Sequence, residues 1–234
     1  MGGRRLLLIG AAVLFAGAPV FAAGQKSDTH SAKSQTPKAA AVHPSGATIT
    51  YRKIFKASSP EFVEIKVNRS GAGTYDIRQL DDTPRPEPFR ISTALAGKIF
   101  LLARAMRDFN GIKLEARRRI ANLGVKTFRY DRDGQSYQVS FNYTLNSDAN
   151  DLLSIFEGLS LQDQYIEQLR SSMRYDPLGL NDVLVRLQRD IESNQLPDPA
   201  SLRPILKKIA TNPNLLDIAR QRAKSISDSL HPGQ

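Results

Sequence analysis

No cysteine and no tryptophan occur among the 234 residues, and the three histidines, His30, His43 and His231, stand outside the stretch that reads as folded. Each shortage excludes a class of chemistry. Without cysteine there is no disulfide framework and no thiolate nucleophile, so stability has to come from a packed core. Zinc sites and Ser-His-Asp or Cys-His mechanisms need a positioned imidazole or thiolate, which the folded stretch does not supply. A Ser-x-x-Lys pair is also missing, and no motif calls for a metal or a cofactor.

The first residues carry an address. Arg4 and Arg5 precede an apolar run from Leu6 to Phe15, and Val20-Phe21-Ala22 has the small-residue pattern of a cleavage site. A cleaved signal peptide over 1–22 and export to the periplasm or beyond are expected, with an uncleaved membrane anchor over Leu6–Ala23 as the alternative. Membrane contact is then expected only through the precursor. Residues 23–46, with Pro37, Pro44 and almost no large apolar side chain, cannot offset their ordering entropy and are expected to form a disordered leader.

Charge gives a weaker constraint. Formal charge is +10 for the whole chain, and loss of Arg4 and Arg5 leaves 31 basic against 23 acidic residues, or +8. Such an excess favours association with anionic surfaces without dictating a fold.

Periodicity organises the remainder. Alternation over Ala47–Phe55, Glu61–Val67 and Thr74–Leu80 predicts an antiparallel meander, interrupted by Pro60 and turned at Asn68-Arg69-Ser70-Gly71. Pro84, Pro86 and Pro88 read as a stiff connector. A helix capped at Ser92 or Thr93 carries Leu95, Ile99, Leu102, Met106 and Phe109 on one face and stops at Asn110-Gly111. Asp133-Gly134 closes a hairpin over Val125–Tyr143.

From residue 148 the period is helical. Asp176-Pro177, Asp198-Pro199 and Asn212-Pro213 each read as a cap followed by proline at the first helical position. The expected fold is α+β: about five antiparallel strands packed on a helix over 47–147, then about four helices in antiparallel hairpins over 148–230, and a short disordered tail over 231–234.

This order of strand, proline break, two strands, helix, Asp-Gly hairpin and helix resembles small exported bacterial domains of unknown function. Those place a two-cysteine loop and a Pro-x-Tyr step where this chain has Ser58-Ser59-Pro60-Glu61-Phe62. The resemblance spans residues 48–160, lacks the cysteine pair and implies no activity.

Two sets of side chains remain as candidate sites. Lys113, Arg117, Arg118, Arg119 and Lys126 form the densest basic cluster, suited to phosphate or carboxylate groups of an envelope polymer. Nucleic acid is not favoured, because Phe128 and Tyr130 alternate as core residues and leave no stacking platform. Glu61 with Glu64, and Asp81 with Asp82, are the carboxylate pairs available for acid-base work on a glycan. The exclusions favour a non-enzymatic binding module of the cell envelope, its partner an envelope protein or an anionic polymer and its oligomeric state open. The alternative is a carboxylate-dependent hydrolase of envelope glycans or peptides.

Overall fold

Alternating β-branched and aromatic residues produce six strands: β1 (Thr48–Ile54), β2 (Phe62–Asn68), β3 (Ala72–Arg78), β4 (Glu87–Arg90), β5 (Val125–Arg132) and β6 (Gln135–Phe141). They form one antiparallel sheet in the order β4-β3-β2-β1-β5-β6. The computed structural model describes residues 46–230, Ala57 excepted. The expected signal peptide, the leader up to residue 45, the tail and all three histidines lie outside the described residues.

The sheet has one strand more than expected, because the proline segment is not only a connector. Glu87–Arg90 pairs with β3, with Tyr75 opposite Glu87 and Gly73 opposite Phe89. A proline can sit there because the strand is an edge. The Ile91 N–H donates to Gly71 O (2.9 Å), so the N–H groups of alternate residues Phe89 and Glu87 face β3, and Pro88 faces outward where no donor is needed.

Helix α1 (Thr93–Ala105) starts at Ser92, whose Oγ accepts the Leu95 N–H at 3.3 Å. It ends five residues before Asn110. Arg107, Asp108 and Phe109 all take positive φ (58°, 51° and 67°), a left-handed turn that returns Phe109 to the core. The predicted hairpin is present, with Asp133 and Gly134 at φ 50° and 79°.

Four further helices follow: α2 (Ser147–Tyr175), α3 (Leu180–Glu192), α4 (Arg203–Ala210) and α5 (Asp217–Ser229). Only Pro199 opens directly into a helical turn, 199–202, that continues into α4. Asp176 and Asn212 instead close turns, accepting from the N–H of Gly179 (3.0 Å) and Asn214 (3.0 Å), and α3 and α5 begin three and four residues past Pro177 and Pro213. A proline fixes one φ and blocks one donor, which suits a turn as well as a helix start.

The core falls into two clusters. One packs Ile49, Tyr51, Ile65, Phe128 and Phe141 of the sheet against Ile99 and Ala103 of α1 and Leu152 and Phe156 of α2. The other joins Leu169 of α2 to Leu184 and Leu187 of α3, Leu206 and Ile209 of α4, and Ala223 and Ile226 of α5. Helix α2 belongs to both, and the change occurs near residue 160. The opposite face of the sheet is polar and presents exposed Arg52, Lys66 and Arg129. Among the described residues no helix is long and apolar enough to cross a membrane.

Candidate functional site

The basic cluster is only partly assembled. Lys113, Arg117, Arg118 and Arg119 are exposed on the irregular segment between Asn110 and Gly124, and the three arginines pair with no carboxylate among the described residues. That segment is pinned to the hairpin: Ala116 N–H donates to Tyr143 O (2.8 Å), Asn142 N–H to Glu115 Oε2 (2.6 Å) and Leu123 N–H to Asn142 Oδ1 (2.7 Å). Lys126 is buried instead of exposed. Its Nζ donates to Leu123 O (3.0 Å) and Asn142 O (2.8 Å), and burial, aided by nearby Lys53, lowers its pKa. The fifth member of the expected patch is therefore a staple for the loop, because its register on β5 points it to the core side beside Phe128.

The expected carboxylate pairs are also dispersed. Glu64 lies on the open face of β2 between Arg52 (2.5 Å) and Lys66 (2.7 Å); burial pushes its pKa up, but the two cations outweigh this and hold it below the usual value. Glu61 Oε2 accepts the Leu80 N–H (3.4 Å), and Asp82 Oδ2 accepts the Gln79 N–H (3.1 Å). None of Glu61, Glu64, Asp81 and Asp82 lines the large cleft of the molecule.

That cleft, about 970 Å³, opens where the two cores meet. The sheet contributes Ile65, Tyr75, Phe89 and Arg90; α2 contributes Leu159 and then one face from Gln162 to Arg174; α4 and the turn before it contribute Ser201, Pro204, Ile205 and Lys208. The spacing of three and four places Ile166, Arg170 and Met173 with Gln162, Asp163 and Glu167 on that face.

Two of the polar side chains that line it are buried. Gln162 is 5% and Asp163 7% exposed. Gln162 Nε2 donates to Ser201 Oγ at 2.7 Å, while Gln162 Oε1 and Asp163 Oδ1 have no hydrogen-bond partner. Burial pushes Asp163 up to about 6, against a hydrogen bond from Tyr75, and the carboxylates of Glu167 and Glu87 push the same way. The single Tyr75 O–H is shared with Glu87 Oε2, 3.3 Å away, and its own pKa is raised by burial and by Asp163. Arg170 spans this group, paired with Glu167 and 4.0 Å from Glu87.

Sequence reasoning missed Asp163. A single aspartate between Gln162 and Gln164 on a helix reads as a solvated position, and only the sheet packed over it makes it buried. Ile166, Met173 and Ile205 were legible as apolar stripe residues, but a stripe does not distinguish a closed core from a cleft wall. Among the described residues no cluster of three metal-ligating side chains occurs. Comparison with protein-family models and with curated proteins returns no match for this chain.

Proposed function

We propose that the chain is an exported, non-enzymatic binding module of the bacterial cell envelope that holds its ligand in the cleft between β2–β4 and helices α2 and α4. One observation carries this reading: a cleft of about 970 Å³, lined by apolar and charged side chains together, includes two buried polar side chains, each with an unpartnered oxygen. Unsatisfied buried acceptors cost stability, so each calls for an explanation, and the polar group of a ligand supplies one for this pair. A concave site that joins apolar surface to convergent polar groups is the common form of a small-molecule site.

Ile166→Trp fills the cleft from the α2 side. The neutral probe N-phenyl-1-naphthylamine should bind the full chain saturably at one site and lose that binding in the variant. Equal binding by both proteins places the probe elsewhere and removes the cleft as the site.

A second reading, a carboxylate-dependent hydrolase of envelope glycans or peptides, draws support from one feature. Asp163, pushed up to about 6 beside carboxylates on Glu87 and Glu167, has the environment of a general acid. It predicts turnover of peptidoglycan fragments or polysaccharides that Asp163→Asn abolishes. Absence of turnover across such a panel removes it.

A further inference from the structure

The charges around the cleft are not balanced. The acids in and beside it are engaged within the protein: Glu167 is paired with Arg170, Glu87 lies 4.0 Å from the same guanidinium and accepts from Tyr75, and Asp163 is buried. The exposed cations that line it are not occupied in this way. Arg90, Arg174 and Lys208 are exposed and pair with no carboxylate among the described residues. Arg90 reaches only Ser70 O (3.4 Å), and Arg174 lies 5.7 Å from the centroid of the Tyr175 ring. The same cleft is lined by the apolar side chains of Ile65, Phe89, Leu159, Ile166, Met173 and Ile205. Methionine adapts its shape to an irregular apolar guest.

We propose that the ligand is an amphipathic anion, an apolar chain held along the cleft with a carboxylate or phosphate head at Arg90, Arg174 and Lys208. This rests on the binding reading above and supplies the ligand class. The complementarity is of charge at the three exposed cations and of apolar surface along the rest of the lining. A peptide added as a strand is disfavoured by the rim itself, because the free edge of β4 lacks a backbone donor at Pro88.

The test uses the full chain and five soluble probes below their aggregation limits: dodecanoate, dodecyl phosphate, dodecyl maltoside, dodecyltrimethylammonium and inorganic phosphate, titrated by calorimetry. Dodecanoate and dodecyl phosphate should bind saturably at one site, at least about tenfold tighter than the neutral and cationic chains, and inorganic phosphate alone should not register. The double variant Arg174→Gln/Lys208→Gln should remove about tenfold of the anion affinity and leave dodecyl maltoside unchanged. Dodecyl phosphate above dodecanoate would mark a phospholipid-type head, and the reverse a fatty-acid head; both keep the proposal.

Three results overturn it. The cationic or neutral chain binding as tightly as the anions would do so, as would anion binding unaffected by the double variant. So would binding to anionic vesicles, made of phosphatidylglycerol in phosphatidylcholine, without binding to the monomeric anions. Failure of the ligand class and failure of the cleft are separable. If Ile166→Trp blocks the neutral chain while no anion preference appears, the cleft stands and the class falls; if no chain binding responds to Ile166→Trp, both fall.

Discussion

The two cores of this protein are built from different materials. Around the sheet, rings pack on rings: Tyr51 on Phe156 (5.2 Å between centroids), Phe109 on Phe128 (5.5 Å) and Phe128 on Phe141 (5.3 Å), joining segments separated by up to about a hundred residues. The helical core is aliphatic, with Tyr165 its one aromatic ring among the buried residues, and those buried residues are drawn from 165–230. Aromatic pairs add orientation to area burial, whereas leucine packing between neighbouring helices is local and tolerant. Helix α2 has to serve both, and at its midpoint it buries Ser160, Gln162 and Asp163 where either core alone would place apolar residues. The cleft lies at that seam.

The sharpest way to break the comparison is to truncate one residue from each core. Phe128→Ala should cost about 3 to 5 kcal/mol, since a fully buried ring with four aromatic neighbours is removed. Leu184→Ala should cost about 2 to 5 kcal/mol. Hydrogen exchange should localise the second effect to α3, α4 and α5, while Phe128→Ala should weaken the whole unit. Uniform loss of protection in both variants would show that the cores behave as one.

Asp163 tests the seam. Its folded pKa, about 6, lies above the ordinary 3.8, so its contribution is favourable below about pH 4 and is lost as pH rises through 6. The groups facing it, Tyr75, Glu87, Glu167 and Arg170, set this balance with burial. Asp163→Asn should therefore match the parent at pH 4 and exceed it by about 2 to 3 kcal/mol at pH 7.5 in urea unfolding. A constant difference between the two proteins from pH 4 to 7.5 would contradict the assignment.

The smallest effect is expected on the loop outside both cores. Reversing Arg117, Arg118 and Arg119 to glutamate should leave the unfolding midpoint unchanged, because exposed residues with no packed partner contribute little. Lys126→Ala should lower it measurably by stranding the carbonyls of Leu123 and Asn142. Equal midpoints for the two variants would mean that Lys126 does not fasten the loop.

Much of the fold was legible in the residues. The strand pattern Val63, Ile65 and Val67, the Asp133-Gly134 turn and the stripes of α2 to α5 follow from periods of two and 3.6, which are local properties. β4 was hidden because its prolines mask a strand that only an edge position permits. The end of α1 was hidden because nothing in Arg107-Asp108-Phe109 announces three left-handed residues.

By itself, then, the sequence determined the α+β class, the absence of thiol and imidazole chemistry from residues 46–230, and which face of each element is apolar. Tertiary structure alone decided which polar residues matter. It turned Lys126 inward, neutralised Glu64 with Arg52 and Lys66, and buried Asp163 with Gln162 at the junction of two cores. The reason is physical: periodicity is written along the chain, but desolvation and charge pairing depend on what the fold brings alongside.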